Sequence, residues 1–329
     1  MTKTNFTRLV NLASPRLGAE VTYATDDFFA DKARLIDLTE PVFVPGKYDE
    51  NGKWMDGWES RRKRSTGYDH AIIKLGQPGV VKGFDIDTSH FTGNFPPAAS
   101  IDVCVSDDAV PGENAEWREL VPSTTLNGDS HHLIAAESDA PITHIRLNIF
   151  PDGGVARLRV YGTVYKDWRT ISQSGEIDLL ALENGGRPII ANNEHFGVLA
   201  NIMAPGRGID MGDGWETRRR REPGNDWAIV ALGHSGAISR ILVDTAHFKG
   251  NFPSGISLQA ALVDGGTDDS LPVQSQFWQE LLPRQPLTAD AEHTFQTELE
   301  ALGTISHVRI NIFPDGGISR LRLFGSAQR

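Results

Sequence analysis

The sequence holds one cysteine, Cys104, in 329 residues. A lone cysteine excludes an intrachain disulfide, so a reducing compartment is expected. No run approaches the ~18 consecutive apolar residues of a membrane span. The opening stretch, MTKTNFTRLVNLASPRLG, carries no apolar leader segment. A cytoplasmic protein with no membrane partner is therefore expected. Basic charge is also short. Lys and Arg number 32 against 43 Asp and Glu, a formal net charge of −11, which weighs against nucleic acid as a partner. Neither G-x-S-x-G nor H-E-x-x-H occurs, so no nucleophile elbow and no zincin helix directs the reading.

Turn formers are plentiful, with 33 Gly and 18 Pro. They favour many short strands over long helices. The length suggests two domains of about 150 residues, each able to bury its own core.

The chain echoes itself. DGWESRRKR (Asp56–Arg64) returns 157 residues later as DGWETRRRR (Asp213–Arg221), with seven of nine letters kept. DTSHFTGNFP (Asp87–Pro96) returns at the same offset as DTAHFKGNFP (Asp244–Pro253). HIRLNIFPDGGVARLRVYG (His144–Gly162) returns as HVRINIFPDGGISRLRLFG (His307–Gly325), with thirteen of nineteen letters kept. TDDFFAD (Thr25–Asp31) is faintly answered by NNEHFGV (Asn192–Val198). Copy one carries about ten extra residues around KYDENGKW (Lys47–Trp54), which read as a surface loop. Two copies of one domain follow, 1–166 and 167–329.

Within each copy the pattern is β. Val308, Ile310 and Ile312 alternate with Arg309, Asn311 and Phe313, the period of a half-buried strand. ARLRVYG and SRLRLFG alternate likewise after an Asp-Gly-Gly turn. Short helices are expected over Asp26–Ile36 and Asn192–Met203, each opening on capping residues. Several short strands with frequent turns give an all-β chain of β-sandwiches.

The doubled DGWE(S/T)RR(K/R)R, H-F-x-G-N-F-P and N-I-F-P-D-G-G blocks resemble the allantoicase (allantoate amidinohydrolase) family over nearly the whole chain. The resemblance implies two tandem jelly-roll domains of the galactose-binding and discoidin type. It implies hydrolysis of allantoate to ureidoglycolate and urea in purine breakdown. Copy two departs at one corner, where Asn192-Asn193-Glu194 replaces an acidic Ser-Asp-Glu type start.

Such a substrate carries a carboxylate and two ureido groups on one tetrahedral carbon. An Arg fork suits the carboxylate. Asn and Asp suit the ureido arms. Breaking the carbon–nitrogen bond needs a proton for the leaving nitrogen and then water, hence a general acid and a general base. The repeated polar set supplies candidates. Glu59 and His90, with Glu216 and His247, are the candidate acid–base groups. Asp56, Arg61, Arg62, Asn94, Asn148 and Asp152 are the candidate binding groups of copy one. Asp213, Arg218, Arg219, Asn251, Asn311 and Asp315 are those of copy two. Glu59 and Glu216 are expected to orient a neighbouring guanidinium. Whether one copy or both form a working site is left open.

Each candidate has a plainer reading. Asp-Gly and Pro-Asp-Gly-Gly make turns unaided. The basic run can discourage sheet pairing, the reading preferred for Arg64 and Arg221. His90 and His247 can serve by bonding backbone, and Gly93 is expected to supply a positive φ. Asn148 and Asn311 are poor strand formers that need partners if buried. Arg157, Arg159, Arg320 and Arg322 read as solvated strand faces. A divalent metal, Mn²⁺ or Zn²⁺, stays open because carboxylates and imidazoles abound, although no ligand spacing specifies it. Assembly as a homo-oligomer is expected. Two other functions compete. A tandem carbohydrate- or small-ligand-binding jelly roll is permitted by the fold, but clustered arginines and carboxylates suit a sugar poorly. Nucleic-acid binding through Arg218–Arg221 lacks interleaved aromatics.

Overall fold

The computed structural model describes residues 5–171, 175–265 and 267–328. Two compact units divide the chain, Met1–Tyr165 and Lys166–Arg329.

Each unit is an antiparallel β-sandwich wound about one long bent strand. In the first unit this strand is Asp69–Asp87. Its first part pairs with Glu20–Ala24 and Ile142–Phe150. Its second part pairs with His131–Ala135 and Arg157–Val164. Ala98–Cys104 and Arg118–Thr125 continue from Ile142–Phe150, and Val10–Asn11 lies beside Arg157–Val164. The strand changes partners around Gly76–Gly79, where its register against Ile142–Phe150 jumps. A Cβ on Gly76 would stand 1.8 Å from the Leu17 carbonyl oxygen, so no larger residue fits the bend. The second unit repeats the plan around Asp226–Asp244, and there a Cβ on Gly233 would stand 2.0 Å from the Asn184 carbonyl oxygen.

The expected alternation holds. Ile145, Leu147 and Ile149, and likewise Val308, Ile310 and Ile312, are wholly buried. The first set packs with Phe84, Ile86, Ile101, Leu158 and Val160 in the unit's core. Each such side chain contributes about 1.5–3 kcal/mol of transfer free energy. The extra residues of copy one form an exposed ribbon, Tyr48–Asp49 against Gly52–Lys53.

Two expectations need correction. The helices shrink to 3-10 turns at Lys32–Ile36 and Leu199–Met203. The residues before them bend instead of coiling into helix, because the N–H groups of Phe29 and Ala30 donate to Glu59 O, and those of His195 and Phe196 to Glu216 O. Arg157 and Arg320 are not solvated. They are 1% and 2% exposed, because the loop ahead of each DGW motif closes over them, and Arg159 and Arg322 are half-covered by the same loops.

Candidate active site

The three duplicated motifs meet at one corner of each unit. Trp58–Glu59 pairs with Gly154–Val155, which sets Glu59 opposite Gly154. That approach requires glycine: a Cβ on Gly154 would fall 2.0 Å from the Phe91 ring. Trp58 is core rather than lid, being wholly buried, and its indole N–H donates to Asp26 O at 2.8 Å. Gly154 N donates to Asn94 O at 2.7 Å. The Asn94 side-chain amide in turn donates to Glu59 Oε1 at 2.8 Å. The second unit reproduces each contact. Glu216 faces Gly317, which lies on Phe248, and Asn251 donates both to the Glu216 carboxylate and to the Met211 sulfur. A carboxylate and a carboxamide thus sit where DGWE, HFxGNFP and PDGG converge. Burial raises the Glu59 pKa, and the Asn94 hydrogen bond offsets only part of that.

The DGW aspartates lie against buried arginine. Asp56 Oδ2 accepts from Arg157 Nη2 at 2.9 Å and from the Val42 N–H at 2.9 Å. Asp213 Oδ2 accepts from Arg320 Nη2 at 2.8 Å. Each guanidinium also caps carbonyls of the covering loop, Thr39 O and Asp56 O for Arg157, and Gly206 O and Asp213 O for Arg320. A fully buried Arg needs this complete set of acceptors.

The basic run divides by position. Arg61 is oriented by Asp26, not by Glu59: Nε donates to Asp26 Oδ2 at 2.7 Å, and the backbone N–H to Oδ1 at 2.9 Å. Burial pushes the Asp26 carboxyl up, but these bonds and one from Phe28 N outweigh it, so its pKa is lowered. Arg218 keeps the backbone bond, to Asn193 Oδ1, while its guanidinium turns to Glu222 at 3.1 Å. Arg62, Arg219, Arg64 and Arg221 are exposed. The third basic residue turns inward. Lys63 pairs with buried Asp69 at 2.5 Å and Arg220 with buried Asp226 at 2.8 Å. Asp152 and Asp315 accept the backbone N–H of Lys63 and Arg220, both at 2.8 Å, and so fix the path of the run.

His90 and His247 bond backbone through Nε2, to Pro41 O at 3.1 Å and Gly208 O at 2.9 Å. With Nε2–H as donor, Nδ1 keeps a free lone pair. The positive φ expected at Gly93 belongs to the histidines, at 69° and 71°. Asp129 and Asp290 hold that backbone by accepting the histidine N–H groups. Asn148 and Asn311 are buried and have the partners that burial requires, but within another set. Asn148 donates to Ser100 Oγ and Asp102 Oδ2, which Arg146 also reaches. Asn311 donates to Gln259 and accepts from Arg309. Among the described residues neither set shares a hydrogen bond with the Glu–Asn corner.

Sequence reasoning passed over Asp26, Lys63 with Asp69, and Arg220 with Asp226. Asp69 and Asp226 stood at the shared offset directly before an apolar strand, which was the available signal.

The Allantoicase repeat family model matches residues 10–165 and 177–328. A protein named probable allantoicase 1 from Burkholderia mallei is 59% identical over 98% of this chain and 96% of its own length. The probable allantoicase of Ralstonia nicotianae is 59% identical over 98% and 96%. The crystal structure of allantoicase from Saccharomyces cerevisiae superposes with a TM-score of 0.81 at 34% identity, covering 96% of this chain and 92% of that one.

Proposed function

The chain belongs to the allantoicase family, and from that premise we propose how its residues perform the reaction. It hydrolyses allantoate to ureidoglycolate and urea, a step of purine breakdown. The observation that supports a site at the motif junction is the pair Glu59–Asn94, repeated as Glu216–Asn251.

The reaction begins with the carboxylate of the substrate on an exposed guanidinium, Arg62 or Arg219, beside Arg61 or Arg218. The glutamic acid gives its proton to the urea nitrogen that leaves. Burial helps Glu59 keep that proton until it is needed. As the carbon–nitrogen bond breaks, its electron pair departs with urea, and the lone pair of the remaining ureido nitrogen stabilises the carbon. Water then adds to that carbon and loses a proton to the carboxylate now free, which restores the acid. Asn94 or Asn251 holds the carboxylate and presents its carbonyl oxygen to a ureido N–H. Nδ1 of His90 or His247 is a second proton acceptor at the rim. Asp56 and Asp213, engaged by buried arginine, and Asp152 and Asp315, engaged by backbone, act as positioning residues.

No helix among the described residues is long and apolar enough to cross a membrane, and a cytoplasmic location rests on the single unpaired cysteine. The net charge of −11 supports the absence of a nucleic-acid partner. Homo-oligomeric assembly remains part of the proposal, and sedimentation velocity reads it directly.

Urea release tests the site. Wild-type protein should yield urea and ureidoglycolate in equal amounts, and the folded double variant E59Q/E216Q should yield neither. Full activity in the double variant would remove the glutamates from the chemistry.

A further inference from the structure

The two units carry opposite charges at one matched position. Arg157 Nε bonds Thr39 O and His90 Nε2 bonds Pro41 O, with Glu40 between. Arg320 Nε bonds Gly206 O and His247 Nε2 bonds Gly208 O, with Arg207 between. Glu40 and Arg207 are therefore structural equivalents. So are Asp87 and Asp244, each ending the long strand of its unit. Oδ1 of each accepts the N–H two residues on, from Ser89 at 2.7 Å and from Ala246 at 2.8 Å.

The remaining oxygens diverge. Asp244 Oδ2 receives Arg207 Nε at 3.0 Å, and Glu292 stands 3.6 Å from the same nitrogen. Asp87 is 1% exposed, and its Oδ2 has no partner. Where the second unit supplies a cation, the first supplies the carboxylate of Glu40. The neighbour across the strand pair also changes, from Glu292 opposite Asp244 to His131 opposite Asp87. One ligand atom each from Glu40, Asp87 and His131 lies within 4.8 Å of the others. His131 Nδ1 bonds Asp85 Oδ2 at 2.8 Å, which leaves Nε2 turned toward Asp87, 3.9 Å from its Oδ1. A carboxylate that holds one ring nitrogen while the other faces an anionic pocket is how metal-ligating histidines are oriented. Of the two arginines on the facing strand, Arg157, opposite Asp87, spends its donors on Thr39 O, Asp56 and Ala156 O, and Arg159 on the carbonyls of Asp37, Leu38 and Thr39.

We propose that Glu40, Asp87 and the Nε2 atom of His131 form a divalent-cation site in the first unit only, with Asp85 as the orienting carboxylate and Arg207 as its built-in substitute in the second. A mixed carboxylate–imidazole set suits Mn²⁺ or Zn²⁺. The ion would clasp the 37–44 loop to the sheet. That loop also supplies Pro41 O to His90 and Val42 N to Asp56, so the site braces the candidate active site without touching substrate. The competing occupant is a proton. Burial lowers the His131 pKa, but Asp85 and Asp87 outweigh it and raise it, so an imidazolium could itself answer the buried charge.

The test is Mn²⁺ titration of the full chain, read by loss of the free-ion EPR signal, with Zn²⁺ calorimetry in parallel and thermal midpoints recorded throughout. Wild-type protein should bind one ion per chain and melt higher with it. Glu40→Arg, which copies the second unit, and His131→Ala should lose binding and the metal-dependent rise. Both positions are exposed, so the fold should survive. Asp85→Asn should weaken binding about 10–100-fold. No binding of either ion by wild-type protein, or stoichiometric binding retained in Glu40→Arg, would overturn the site and leave the imidazolium as the counter-charge.

Discussion

The two units agree where a contact fixes backbone and disagree where a side chain meets solvent. Asp56–Arg157 matches Asp213–Arg320, Asp152 on the N–H of Lys63 matches Asp315 on that of Arg220, and His90 on Pro41 O matches His247 on Gly208 O. At the rim, Asp26 becomes Asn193, Glu40 becomes Arg207 and His131 becomes Glu292. An unmatched buried group costs far more than an unmatched exposed one. Duplication followed by drift should therefore freeze the first class and release the second.

The largest effect that would break the symmetry is catalytic. Removing a positioned general acid costs about 10²–10⁴-fold. E59Q and E216Q, assayed separately for urea release, should each halve turnover if both corners work alone. If only one corner works, one variant should fall by that full factor while the other stays near wild type. Burial raises the Glu59 pKa and so suits it to hold a proton, which favours the first unit as the one that cannot be spared.

Next in size is a prediction that the units are equal. R157M and R320M each remove a buried guanidinium from its carboxylate, part-buried Asp56 in one unit and buried Asp213 in the other, and breaking a buried pair by removing one partner costs about 3–5 kcal/mol. Chemical denaturation should show similar losses for both. A loss below about 1 kcal/mol in either would mean that its loop can lift away and hydrate the aspartate.

The legible and illegible parts of the chain divide along the same line. Alternation disclosed the strands at Ile142–Phe150 and Ile305–Phe313 because burial on one face writes a period of two. The duplicated motifs disclosed Glu59, Asn94 and their counterparts as one group, but not that Asn94 grips Glu59. That contact depends on Gly154 lying against Phe91, a distance no spacing encodes. Arg157 misled because an arginine between apolar residues looks solvated, and only the distant Thr39–Asp56 loop changes its surroundings. His90 took the left-handed conformation expected of Gly93 because Asp129, 39 residues away, holds its N–H.

A subtler asymmetry should appear with pH. The pKa of Glu59 is raised in the folded chain, chiefly by burial. Folding is then favoured by the protonated acid below the unfolded pKa, and that advantage is lost as pH rises through the folded pKa. E59Q removes the cost of ionising in place. Its unfolding midpoint relative to wild type should therefore climb as pH rises above the ordinary glutamate value of about 4.3. A flat difference would mean that the carboxylate is solvated in place.

The smallest expected effect makes the corners alike. D26N gives the first unit the side chain of the second. The carboxamide oxygen can still accept the Arg61 backbone N–H, as Asn193 does for Arg218, so the charge and the bond from Arg61 Nε to Oδ2 are what is lost. Arg61 is 62% exposed in its pair with Asp26, and such pairs contribute about 0–1 kcal/mol. The loss should fall in that range at neutral pH. The Asp26 pKa is lowered because its hydrogen bonds outweigh burial, so its contribution is present above the unfolded pKa and vanishes as pH falls through the folded one. D26N and wild type should thus converge in acid. N193D should do the reverse at neutral pH, drawing Arg218 from Glu222 to the new carboxylate, and a double variant N193D/E222A would show whether one carboxylate suffices. If D26N instead cost activity tenfold with stability intact, the orientation of Arg61 would matter to substrate and the first unit would be marked as the working one.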